Sequence, residues 1–412
     1  MTKDINNLLY LDNAATTSLH PKAIEAMMPY LTTEYGNPSA VYSYARNARK
    51  AIEKAREQIA EVINCSAKEI IFTASGTEAN NWVLQNFITN AKESANGCHI
   101  ITSAVEHHAV SEVCKYLETK EGKRADVTYL PVDSEGNVSP ESLINAIRPD
   151  TVLISMIWAN NEIGTIFPIA KLAEIAREKG IPFHTDAVQA VGHIPIDMSK
   201  MPVDLLTMSA HKFYGPKGVG ALYMRKGFER RCSTKFSPFL FGGAQERNLR
   251  ASTENVAGIV GMGEALTLSA MEMDEEYNRC SMLRDYLIDR IEKEIPLSFL
   301  NGARGNNRLP GNVNFTFDYI EGESLLLLLD MNGICASSGS ACSSASLEPS
   351  HVIMALGVPH EKAHGSIRFS LGRSNSQSDI DKLMEILPKL INQLRAMSPL
   401  AEGDSSWITM TK

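Results

Sequence analysis

The chain has 412 residues, 44% of them hydrophobic and 21% charged, with a formal net charge of −8 at pH 7. This composition predicts a soluble globular protein of two domains, excludes a disordered chain, and argues against a nucleic-acid-binding surface. The longest leucine run, Leu325 to Leu329, falls far short of a membrane span. The N-terminus has no apolar signal segment, and seven scattered cysteines with no zinc spacing fit free thiols in a reducing, cytoplasmic setting.

Residues 8–17 form a short apolar run ending in Asp12-Asn13-Ala14-Ala15-Thr16-Thr17. Pro21 at a first turn predicts a helix to Tyr35, and Gly36-Asn37-Pro38-Ser39 breaks it. Ile52, Ala55, Ile59, Val62 and Ile63 share one face of a helix over 48–63. Glu69 to Thr73 reads as a strand, followed by Ser75-Gly76-Thr77 at a helix start. Free amides and a hydroxyl there make either a phosphate site or a plain N-cap. A strand over 100–103 leads to Glu106-His107-His108, histidines that are either ordinary loop residues or catalytic ones. A β-rich run over 151–158 ends in Asn160-Asn161-Glu162-Ile163-Gly164, and Pro168 to Lys179 is an amphipathic helix stopped by Gly180. Two apolar runs end near Asp186 and Lys212, and Gly220 to Met224 is a further strand. The alternation argues for an α/β layer with a mostly parallel sheet.

A long helical region over 257–289 carries the domain junction. Beyond it a strand at 311–317, a helix at 324–331 and a strand at 366–371 read as an α+β second domain. Between them Ala336-Ser337-Ser338-Gly339-Ser340-Ala341-Cys342-Ser343-Ser344 is a small-residue loop, accessible in character. A lone loop cysteine carries no role by itself. The tail from Ser398 to Lys412 is polar and loose, with Trp407 in it, and there is no internal repeat.

Asp186 and Lys212 stand 26 positions apart, each at the end of a strand-like run. Strand ends in an α/β sheet face the ligand crevice. The pair is either a strand-end salt bridge or the carboxylate and amine that pyridoxal phosphate needs, an acid for its pyridine nitrogen and a lysine for its aldehyde.

The segments Tyr10 to Thr17, Gly36-Asn37-Pro38-Ser39, Phe72 to Asn81, Glu106-His107, Asn160 to Gly164, His184-Thr185-Asp186-Ala187-Val188-Gln189, Ser209 to Gly218, Arg250 to Val256, Ser337 to Ser344 and Arg368-Phe369-Ser370-Leu371-Gly372 span nearly the whole chain. In this order and spacing they resemble the cysteine desulfurases of the NifS/IscS group, within the class V (fold type I) enzymes that use pyridoxal 5′-phosphate. The cysteine loop separates this group from other class V enzymes. The resemblance implies an α/β transferase fold of type I. Its large domain, residues 19–267, has a mostly parallel seven-stranded sheet; its smaller α+β domain, residues 1–18 and 268–412, carries the cysteine loop.

By the same resemblance Lys212 binds the cofactor aldehyde, Asp186 pairs with the pyridine nitrogen, and His107 stacks on the ring and moves protons. Asn161 and Gln189 bond near the ring hydroxyl. Gly76, Thr77, Ser209 and His211 hold the phosphate, and Thr253 reaches the phosphate of a partner subunit, which implies a homodimer. Arg368 clamps the substrate carboxylate, assisted by Asn37, because a guanidinium fork matches a carboxylate in two hydrogen bonds. Cys342 takes sulfur from L-cysteine as a persulfide, leaving alanine, and passes it to an iron–sulfur scaffold or a tRNA-thiolation protein. Neither a membrane nor direct nucleic-acid contact is expected.

Lys217 is the rival lysine, placed in a Gly-Pro-Lys-Gly turn. The chain departs from the family pattern at Tyr42 and Tyr44, in a stretch that usually holds a His and then a Gly, at Ala244 after Gly242-Gly243, where Gly or His is usual, and at Ser252, where Gly is usual; replacing a glycine adds a Cβ that restricts φ. Another class V enzyme, an aminotransferase or a selenocysteine lyase, is the competing activity. A binding or scaffold protein on the same fold would have lost Lys212, Asp186 or Cys342, and all three are present.

Overall fold

The computed structural model describes residues 8–91, 98–119, 125–338 and 348–399. Cys342 and the tail with Trp407 lie outside them. The chain opens with β1 (Leu9–Tyr10) and then builds one sheet from β2 (Ile70–Thr73), β3 (His99–Ser103), β4 (Asp126–Leu130), β5 (Thr151–Ile157), β6 (Phe183–Asp186), β7 (Leu205–Ser209) and β8 (Gly220–Met224). The sheet has seven strands in the order β2-β8-β7-β6-β5-β3-β4. Strands β4, β3, β5, β6 and β7 run parallel, and β8 runs antiparallel to both its neighbours. The link from β7 to β8 covers only residues 210–219. A parallel crossover needs a dozen residues or more, so the chain must turn straight back.

Both faces of the sheet are covered. Along β7, Leu206 and Met208 belong to one apolar cluster with Ile52, Phe72 and Met156. Leu205, on the opposite face, belongs to another with Trp82, Phe87 and Leu222. That alternation is the two-residue period of a strand buried on both sides. A third cluster joins Leu9 and Leu11 to Leu287, Phe315, Leu325, Phe369 and Leu387. It surrounds a three-stranded antiparallel sheet of β9 (Ser298–Leu300), β10 (Asn312–Phe317) and β12 (Ser366–Ser370), with β10 in the middle. Beside it β1 pairs in parallel with β11 (Ile334–Cys335).

The helix Val256–Glu294 links the clusters. Its first half packs on the helices Pro21–Thr32 and Ser43–Val62, and its second half gives Leu287 and Ile291 to the third cluster. By length and composition alone it would be long and apolar enough to cross a membrane, yet over half of that apolar stretch is buried in the fold.

Several elements depart from the predicted ones. The helix expected over 48–63 begins at Ser43, because Ala45 and Ala48 extend the buried stripe of Ile52, Ala55 and Ile59 backwards. β4 was not expected; it is an edge strand paired only with β3. The helix Gln377–Met397 was not expected either. It opens on a capping box of Ser376 and Asp379 and buries Ile380, Leu383, Met384, Leu387, Leu390 and Ile391. Pro388 sits inside it, at a cost of about 3 kcal/mol. Each buried large aliphatic side chain contributes about 1.5–3 kcal/mol, so the stripe outweighs the proline.

Candidate active site

The C-terminal ends of β5, β6 and β7 open onto a cavity of about 280 Å³. Asp186, the last residue of β6, is 3% exposed at its wall. Its Oδ1 accepts a hydrogen bond from the Val188 amide at 3.0 Å and its Oδ2 accepts one from Asn80 Nδ2 at 2.6 Å. The carboxylate plane is therefore fixed from both sides. Asn80 comes from the helix Gly76–Ala91, one turn in from Gly76. A Cβ at Gly76 would meet Val188 Cγ2 at 2.8 Å and Ser209 Cβ at 3.4 Å, so the first turn of this helix is pressed against the strand ends. Ser75, Gly76, Thr77, Ser209 and His211 all line the cavity there.

After β7 a short 3₁₀ turn, Ala210–Lys212, brings Lys212 into the cavity. Its Nζ donates to the carbonyl oxygens of Ala14 at 2.7 Å and Ala15 at 2.8 Å. The segment Asp12–Thr17 is clasped over this turn: Thr17 N donates to His211 O at 3.0 Å, and His211 Nδ1 lies 3.2 Å from Thr16 Oγ1. Gln189 Nε2 also donates to Ala14 O, at 2.9 Å. Burial first, then Lys212 and Lys217, push His211 down to about 4.

His107 is not in an open loop but caps the helix His108–Glu118, where its Nδ1 accepts from the Ala109 amide at 3.0 Å. The ring's proton is thereby assigned to Nε2. Burial holds the His107 ring below the usual imidazole value; Asp186 opposes that shift and Lys212 adds to it. Behind it Glu106 is fully buried, with Oε1 accepting from Ser103 Oγ at 2.6 Å and from the Ile157 amide at 2.9 Å. Its Oε2 has no partner among the described residues. Burial drives the Glu106 carboxyl up to about 8, against its two hydrogen bonds.

Arg368, on β12, reaches across from the third cluster and lines the same cavity. Its Nη1 donates to Asn161 O at 2.8 Å and its Nη2 pairs with Asp12 Oδ1 at 2.8 Å. Glu162 next to Asn161 is buried, and Ser350 Oγ donates to its Oε2 at 2.5 Å. Its carbonyl accepts from Asn312 Nδ2 and Asn314 Nδ2, both at 3.1 Å, which ties the 159–164 loop to β10.

Of the candidate residues, Lys212, Asp186, His107, Asn161, Gln189, Gly76, Thr77, Ser209, His211 and Arg368 all border this one cavity. Asn37 does not; it is exposed, with Oδ1 accepting from the Ser39 amide. Thr253 does not either, and lines a separate depression with Arg250 and Glu254. Lys217 is exposed on its turn. Asn80, Asp12, Glu162 and His351 are cavity or adjoining residues that sequence reasoning missed. Asn80 had a signal, its one-turn spacing from Gly76; His351 had none beyond lying shortly after the cysteine loop.

The family model for aminotransferase class-V matches residues 9–383, and the chain belongs to that family. It is 55% identical over 391 residues to the cysteine desulfurase IscS of Dictyoglomus turgidum, covering 95% of this chain and 96% of that one. It is 53% identical to the cysteine desulfurase IscS of Methanosarcina thermophila, covering 96% and 95%. Among solved structures, a NifS-like protein superposes with a TM-score of 0.85 at 35% identity, covering 94% of this chain and all of the other. A structure titled SspA in complex with cysteine gives 0.76 at 34% identity, covering 88% and 99%.

Proposed function

We propose that this chain is a cysteine desulfurase that converts L-cysteine to L-alanine and holds the sulfur as a persulfide on Cys342. The observation that carries this reading is the meeting of an amine, a buried carboxylate, an imidazole and a buried guanidinium around one cavity at the sheet's C-terminal edge. Pyridoxal 5′-phosphate is the cofactor. The donor set fits it: Lys212 for the aldehyde, Asp186 for the ring nitrogen, and the tightly packed first turn at Gly76 and Thr77, with Ser209 and His211, for the phosphate. When bound, its ring draws off negative charge that develops at the substrate Cα.

The chain's own groups do the rest. Arg368 binds the substrate carboxylate with its fork, steadied by Asp12 and by the carbonyl of Asn161. Lys212 would hold the aldehyde, and its amine, when free, would take the Cα proton. His107 lines the cavity and would supply the Nε2 proton that its cap geometry fixes. Asn161 and Gln189, which also line the cavity, would hydrogen-bond near the ring hydroxyl. Cys342 attacks the substrate sulfur as a thiolate.

The domain division follows the same reading, with 19–267 as the large cofactor-binding domain and 1–18 with 268–412 as the small one; the separate third cluster supports it. Thr253, away from its own chain's cavity, serves a partner subunit's phosphate in a homodimer, and Asn37 assists Arg368 once substrate is present. The acceptor is an iron–sulfur scaffold or a tRNA-thiolation protein, and the site of action is the cytoplasm.

The test is a visible spectrum of the purified protein before and after L-cysteine, with alanine and sulfide measured. A yellow band that L-cysteine alters, with both products, is expected. Lys212→Ala should lose the altered band, and Cys342→Ala should keep it but form no protein persulfide. Full sulfide release by the Cys342 variant would refute the assignment.

A further inference from the structure

We propose that His351 is a proton acceptor for a thiol brought into the cavity. The proposal rests on the desulfurase reading and deepens it, because a sulfur nucleophile must lose its proton and an ordinary cysteine is mostly protonated at pH 7.

Three imidazoles border the cavity with their hydrogen bonding defined. His107 has its basic nitrogen, Nδ1, committed to the Ala109 amide. His211 has Nδ1 against Thr16 Oγ1. His351 is arranged the other way round. Its Nε2 lies 2.9 Å from the carbonyl oxygen of Glu106. A carbonyl only accepts, so Nε2 carries the proton and Nδ1 is left as the basic nitrogen. Protonation at Nδ1 would keep that bond and strengthen it, since the donor then belongs to a cation.

The ring is held in place from its own helix as well. Ser350 caps the helix His351–Ala355, accepting from the Val352 and Ile353 amides, and donates to buried Glu162. Glu162 lines the cavity, Glu106 is buried behind His107, and both are bonded to the turn at 350–351, Glu106 through its carbonyl and Glu162 through its carboxylate. The His108 ring lies 5.0 Å from the His351 ring, and its buried Nε2 has no partner among the described residues.

The groups that act on His351 are Glu106 through its carbonyl, Glu112 and Lys115 on the helix His108–Glu118, and its neighbours His107 and His108. Burial keeps the ring below the usual imidazole value, so it is neutral and able to accept at pH 7. In the step the S–H bond breaks, the N–H bond forms at Nδ1, and the electron pair stays on sulfur. The imidazolium then loses its proton to water.

The test uses the holoenzyme and its His351→Gln and His351→Phe variants. Glutamine can still donate to the Glu106 carbonyl but has no basic nitrogen; phenylalanine has neither. Both should keep the native cofactor spectrum and lose sulfide release by roughly 100-fold at pH 7. Their residual rate should climb through the ordinary thiol range near pH 8.5, where the native rate is already level. Alkylation by iodoacetamide without substrate identifies the thiol. Cys342 labelling slowed about tenfold assigns it to the chain, and native labelling with slow sulfide release assigns it to L-cysteine. Two variants with native rate and native pH profile would overturn the proposal, and so would a native glutamine variant beside a slow phenylalanine one, which would mean a purely structural contact. A native chain that forms neither sulfide nor alanine fails the desulfurase reading itself and takes this one with it.

Discussion

At the scale of single residues, two buried carboxyls stand in different circumstances, Asp186 in the cavity wall and Glu106 behind His107. Asp186 receives a donor on each oxygen, from Val188 and Asn80. Glu106 has both donors on one oxygen and none on the other, and its carboxyl rises to about 8. The folded state therefore keeps a proton there that the unfolded chain releases near the ordinary value of 4.5. Stability from this group is intact below pH 4.5 and is lost progressively as pH climbs to about 8. Glutamine keeps the acceptor for Ser103 and Ile157 and removes the titration. Glu106→Gln should flatten the decline in urea midpoint between pH 5 and pH 8, leaving the variant more stable than the native chain at pH 8. A parallel decline in both proteins would contradict the buried-proton account.

Among elements, the loop from Phe241 to Asn255 shows how a departure from family pattern is absorbed. Ala244, in place of a usual glycine or histidine, sits at φ −84°, where any residue fits. Ser252 sits at φ +106°, a conformation that glycine adopts without strain. Glu246, Arg247 and Asn248 also have positive φ, at 45°, 60° and 64°. The strain is held because Glu246 is buried and takes Arg56 in two bonds of 2.8 Å and the Phe72 amide at 2.9 Å. Arg250 in turn grips Glu78, in the first turn of the helix Gly76–Ala91. Ser252→Gly should relieve a net 0.5–1 kcal/mol, roughly, after the extra freedom of glycine in the unfolded chain. Differential scanning fluorimetry should show a rise of about 1–2 °C. An unchanged or lower midpoint would mean that the serine side chain compensates for its backbone.

For the whole molecule, the proposed homodimer makes a prediction of its own. Thr253 lines a depression with Arg250 and Glu254, apart from the cavity of its own chain. If it serves the partner's cofactor, a chain carrying Lys212→Ala and one carrying Thr253→Ala should complement when mixed. One site of each mixed dimer then has both residues intact, and activity should recover toward a quarter of native. Equal losses in the mixture and in the parent variants would place Thr253 outside the partner's site. At the same scale Arg368 and Asp12 join the third cluster to the cavity, so the site is complete only where the two halves of the fold meet.

Much of this was legible in the chain, and the reason is local. Strand runs such as Leu205–Ser209 and the turn after Thr73 declare themselves by short-range pattern, and the Lys212, Asp186, His107 and Arg368 motifs are each contiguous. The family and its cofactor chemistry therefore follow from sequence. What periodicity does not carry is pairing: the direction of β8, the edge strand β4, the helix over Pro388, the Asn80–Asp186 bond and the place of His351 all depend on groups far apart in the chain. Those contacts are decided by burial and by which donors and acceptors must find each other once water is excluded. Only the tertiary structure settles them.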